Sequence, residues 1–79
     1  MTDASPAPSL AAFAALTFRQ RQVARYVADC YTNKQIASEL GISIRQVETY
    51  IAGIAARWRL DRSRNIRSQI TRRVLSTAA

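Results

Sequence analysis

The sequence predicts an all-α fold, and three observations carry that expectation. Only two Gly and two Pro occur in 79 residues, and both Pro lie in the first eight, so the remainder is nearly free of helix breakers. Thr17-Phe-Arg-Gln20, Thr32-Asn-Lys-Gln35 and Ser43-Ile-Arg-Gln46 each match a capping box. In such a box the hydroxyl accepts from an amide one turn ahead, and the glutamine reaches back to the cap residue's own amide. After each box, apolar residues recur at helical spacing.

The elements follow in order. Residues 1–9 are polar, small and proline-containing, and are expected to be flexible. Residues 10–15 either form a helical turn that packs Phe13 or Leu16 onto the domain or continue the flexible segment, so the domain itself is placed at 16–76. The first helix is predicted from Phe18 to about Cys30, with Val23, Tyr26, Val27 and Cys30 on one apolar face. Cys30 is read there as a core residue. The second, Asn33 to Leu40, turns Ile36, Ala37 and Leu40 inward, and Ala37 is small where two helices cross. Gly41 then takes the left-handed conformation that releases the chain from that helix. The third helix, Ile44 to about Arg59, has Val47, Tyr50, Ile51, Ile54, Ala55 and Trp58 inside; Arg45, Glu48, Thr49, Ala52, Ala56 and Arg59 lie opposite. A fourth, about Arg64 to Leu75, is capped by Asp61 or Ser63 and carries Ile66, Ile70 and Val74.

Seventy-nine residues make one small domain, and 48% apolar content argues against wholesale disorder. Twelve basic residues against five acidic ones give a net charge of +7. Such a surface attracts phosphates, on nucleic acid or on anionic lipid. A cationic membrane helix would want an uninterrupted apolar face opposite its arginines, whereas Trp58, Leu60, Ile66 and Ile70 are needed for a core of this size. There is no His, no Cys cluster for zinc, no nucleophile–base pair and no glycine-rich phosphate loop. Neither an enzyme nor a cofactor or metal is expected. A single Cys excludes an internal disulfide and fits a reducing cytoplasm. The N-terminus does not read as a secretory signal, and Leu10 to Leu16 is too short to span a bilayer.

The segment from Thr32 to Ile51 is a helix, a tight turn at Gly41 and a second helix with a polar outer face. That is the helix-turn-helix pattern, whose second helix enters the DNA major groove. The first turns of that helix present Arg45, Glu48, Thr49 and Ala52. Arginine bridges guanine O6 and N7, a carboxylate accepts from cytosine N4, and a threonine methyl touches thymine. Two plainer roles compete: Glu48 paired with a neighbouring arginine, and Arg45 on a phosphate. Asn33 and Lys34 begin a helix whose exposed amides favour a phosphate. Among the late arginines, of which Arg57 and Arg64 are candidates, two or three are expected on phosphates while the rest contribute field. Trp58 and Tyr26 are read as core or core-edge residues rather than stacking platforms.

These residues resemble the DNA-binding domain of the LuxR family of bacterial transcription regulators, the GerE-like domains. The resemblance starts at Leu16-Thr-Phe-Arg-Gln-Arg-Gln-Val23 and continues through Thr32-Asn-Lys-Gln-Ile-Ala37 and Leu40-Gly-Ile-Ser43. It ends on Val47-Glu-Thr-Tyr50 and on Leu60 with Ser63 and Arg64, and covers residues 16 to about 75. It implies a four-helix bundle whose third helix reads the major groove. It places backbone contacts on Thr32, Lys34, Ser43 and Arg64, and base contacts on Glu48, Thr49 and Ala52. It also implies a two-fold dimer through the fourth helix, with Ile66, Ile70, Arg73 and Val74 at the interface. The chain departs from the family at Gln20 (usually glutamate), Tyr50 (often histidine), the short Ala52 and Asp61 (usually glycine). Taken as a whole chain, the fifteen residues before the domain are too few for a sensor, so control would lie in amount, dimerisation or a partner.

The expected function is a sequence-specific duplex-DNA-binding transcription regulator acting as a homodimer in a bacterial or phage-infected cytoplasm. The alternative is a protein-interaction module resembling region four of bacterial sigma factors. It would bind RNA polymerase or another regulatory protein through an Ile66–Ile70–Val74 seam.

Overall fold

The computed structural model describes residues 13–78. The segment 1–9, expected to be flexible, lies outside the described residues. Among the described residues four helices run from Phe18 onward: α1 (Phe18–Ala28), α2 (Asn33–Leu40), α3 (Ile44–Trp58) and α4 (Ile66–Ala78). α1 packs against α3 and α4, and α2 packs against α3. The all-α prediction holds, and α2 has the bounds read from the sequence.

All three capping boxes form. Thr17 Oγ1 accepts from the Gln20 amide at 3.1 Å and Gln20 Oε1 accepts from the Thr17 amide at 2.9 Å. Thr32 and Gln35 repeat the exchange at 3.1 and 2.8 Å, and Ser43 and Gln46 at 3.0 and 2.9 Å. Each hydroxyl satisfies an amide that the helix leaves without a partner, worth about 1 kcal/mol.

The exits are equally uniform. Cys30, Gly41 and Arg59 have φ of 66°, 67° and 53°, all left-handed. In each case the next amide reaches the carbonyl five residues back: Tyr31 to Tyr26 at 3.0 Å, Ile42 to Ala37 at 3.0 Å, Leu60 to Ala55 at 2.9 Å. This is the Schellman closure of a helix C-terminus. It corrects the reading of Cys30. α1 stops at Ala28, and Cys30 is an exposed turn residue rather than a core one.

Val23, Ala24, Ile36, Val47, Ile54 and Ile70 are completely screened from solvent. Each larger side chain among them contributes about 1.5–3 kcal/mol by leaving water. Phe13 and Leu16 join this core, and the Arg25 guanidinium lies 5.2 Å from the Phe13 ring centre. Trp58 is buried as expected, and Tyr26 stands half-buried at the core edge.

The entry to α4 differs from the prediction. Neither Asp61 nor Ser63 caps it. Asn65 does, its Oδ1 accepting from the Ser68 amide at 2.9 Å, and the helix starts at Ile66. Asp61 instead closes the preceding turn, accepting from the Ser63 amide at 3.0 Å and from Ser63 Oγ at 2.6 Å. Gln69 holds that turn from below. Its Oε1 accepts from the Asp61 amide at 3.0 Å and its Nε2 donates to the Asp61 carbonyl at 2.8 Å.

Candidate nucleic-acid interface

α3 divides cleanly along its length. Val47, Ile54, Ala55 and Trp58 are buried, whereas Arg45, Glu48, Thr49, Ala52, Ala56 and Arg59 are exposed. The anchoring stripe therefore fixes the helix without using the four side chains read as base-contacting. Thr49 Oγ1 donates to the Arg45 carbonyl at 3.1 Å, which leaves its methyl as the unengaged part. Glu48 makes no ion pair with any described residue, so the arginine partner considered for it is not there.

The residues read as phosphate-contacting fall into two groups. Lys34 and Arg57 are exposed. Thr32 and Ser43 are exposed at the starts of α2 and α3, but their hydroxyls already accept the capping amides. Arg64, with 79% of its side chain exposed, pairs with Asp61 at 3.4 Å. Asn33 is half-buried, and its Oδ1 accepts from Arg67 of α4. The same guanidinium donates to the Tyr31 carbonyl. Asn33 thus ties α4 to the start of α2 whatever else its amide meets. Arg67 had no distinguishing signal among so many arginines.

The proposed dimer seam requires correction. Ile70 is fully buried within the protomer, and Ile66 and Val74 are half-buried against the same core. Their four-residue spacing marks the inner stripe of α4, not an outer seam. Arg73 lies with its guanidinium 5.4 Å from the Trp58 ring centre. The large apolar residue that α4 does expose is Leu75, at 57%. It borders a depression shared with Cys30, Ser68, Thr71 and Arg72.

Two further features bear on chemistry. Among the described residues no group of three or more His, Cys, Asp or Glu is placed to hold a metal. No described helix is long and apolar enough to cross a membrane.

A short helix, a glycine turn and a second helix anchored on one side and polar on the other define a helix-turn-helix protein. Residues 14–63 match the family model for bacterial regulatory proteins of the luxR family. The chain belongs to that family, and carries its helix-turn-helix DNA-binding domain. Compared with curated proteins and with solved structures, the chain gives no match.

Proposed function

We propose that this protein is a transcription regulator that binds specific duplex DNA as a homodimer, with α3 in the major groove. The observation that carries the reading is the exposure of Arg45, Glu48, Thr49 and Ala52 on a helix whose opposite stripe is buried. Glu48, without an ion pair, supplies an acceptor for a cytosine amino group, and the Thr49 methyl suits thymine. Lys34 and Arg57 supply phosphate contacts that set register without reading sequence. Homodimerisation through α4 would use its outer side around Leu75, since Ile70 is occupied within the protomer. The net charge of +7 brings the domain to DNA before any base is read.

Selection of bound duplexes from a random pool tests this reading. The expected product is a roughly palindromic site whose half-sites lie about one DNA turn, ~34 Å, apart. Enrichment of no motif, at any salt that supports binding, would remove sequence-specific regulation from consideration.

A further inference from the structure

We infer that Arg62, in the loop between α3 and α4, reads a G·C base pair jointly with Glu48. The inference rests on the major-groove reading of α3 given above. Arg62 is exposed and lines one depression together with Glu48, Ala52 and Ile66. Its guanidinium has no hydrogen-bond or ion-pair partner among the described residues. The loop that carries it is nevertheless fixed. Leu60 before it is buried, Asp61 is clasped by Gln69 at 3.0 and 2.8 Å, and Ser63 is bound to the Asp61 carboxylate. A rigid backbone therefore presents a side chain with no work inside the fold.

The charge arrangement selects the ligand. Arg62 and Glu48 face one concavity and are not within ion-pair distance of each other. A phosphate entering there would be drawn by one and repelled by the other. The major-groove edge of a G·C pair carries both complements: guanine O6 and N7 accept, and cytosine N4 donates. Ala52, which lines the same depression, has a side chain with no polar atom and leaves room for a base edge. Arg67 borders the same depression but is engaged with Asn33 and Tyr31.

The test is duplex selection from a random pool with the full chain, comparing wild type, Arg62→Ala, Glu48→Gln and Arg19→Ala. Arg62→Ala is expected to lose preference at one G·C position by about tenfold to a hundredfold and keep the rest of the motif. Glu48→Gln should lose preference at the same position, while Arg19→Ala on α1, with the same loss of charge, should keep it. An unchanged motif for Arg62→Ala, with affinity either intact or uniformly lowered, overturns the inference and leaves the α3 reading standing. Loss at different positions for Arg62→Ala and Glu48→Gln overturns the shared base pair. A wild-type chain that enriches no motif overturns both readings together.

Discussion

The guanidinium of Arg67 donates to the Asn33 side-chain oxygen and to the Tyr31 carbonyl, joining α4 to the first residue of α2 across 34 positions of sequence. One planar fork thus fixes where the helix-turn-helix begins relative to the last helix. Truncation would leave a half-buried carbonyl and an amide oxygen without their donor. Arg67→Ala should lower stability by about 1.5–3 kcal/mol in urea unfolding. Arg67→Lys should recover only part of this, because an ammonium cannot span both acceptors in the same geometry. An unchanged urea midpoint for Arg67→Ala would refute the tie.

Gln20 and Gly53 make a second coupling, between α1 and α3. A Cβ built on Gly53 would lie 2.8 Å from Gln20 Nε2. The end of Gln20 is flexible in principle, yet its Oε1 is held by the Thr17 amide. In the wild-type background Gly53→Ala must displace Gln20, and the lost capping bond offsets the roughly 1 kcal/mol gained in helix propensity. In a Gln20→Ala background nothing is displaced, so Gly53→Ala should stabilise by about 1 kcal/mol. A double-mutant cycle with no coupling between the two positions would contradict this contact.

The left-handed helix exits predict opposite outcomes for two exchanges. Gly41→Ala meets no atom within 4 Å, so its effect is conformational alone. It should destabilise by about 1 kcal/mol. Cys30 holds φ of 66° with a side chain, and Cys30→Gly should stabilise by a similar ~1 kcal/mol, less the extra freedom glycine gives the unfolded chain. Thermal melts of the two variants that shift in the same direction would exclude the argument.

Asp61 sets a pH dependence. The Ser63 hydroxyl, then the Ser63 amide, hold its carboxyl below the ordinary value of 3.8. The folded state therefore binds this proton less readily than the unfolded chain does. The contribution is fully present above 3.8 and fades as pH falls through the lower folded value. Asp61 is exposed, so the effect is small and screened by salt. Urea midpoints measured as pH falls through and below 3.8 should drop less steeply for Asp61→Asn than for wild type. Equal slopes would show that the turn carries no linked proton.

Why some of this was legible and some was not has local causes. Capping boxes announce themselves, because Ser or Thr and Gln stand three apart and the interaction is within one turn. The start of α4 escaped that search, since Asn65 is followed by Ser68 and not by Glu or Gln. The exit at Gly41 was visible because glycine advertises φ above zero; the same turn at Cys30 and Arg59 was not, because tertiary packing imposes it on ordinary residues. For α3 the periodicity was enough to separate Glu48 and Thr49 from Val47 and Ile54. For α4 the periodicity located an apolar stripe but not its partner. Ile70 meets the protomer's own core, and only the packing of α1 against α4 decides that. The clasp of Gln69 on Asp61 joins residues eight apart and leaves no sequence signature.

The division of labour proposed between α2 and α3 makes the last prediction. Lys34 is exposed in the first turn of α2, where free amides already favour an anion. Thr49 is exposed on α3 with its methyl unengaged. Lys34→Ala should weaken binding to every duplex alike and reduce the slope of log affinity against log salt by about 0.9, the release of one counterion. Thr49→Ala should leave that slope unchanged and relax preference at one base position by about 1–3 kcal/mol. Competition titrations over a salt series, run on the selected site and on single-base variants of it, read both quantities from one set of curves. A changed base preference for Lys34→Ala, or a changed salt slope for Thr49→Ala, would mean that the two helices had been assigned each other's work.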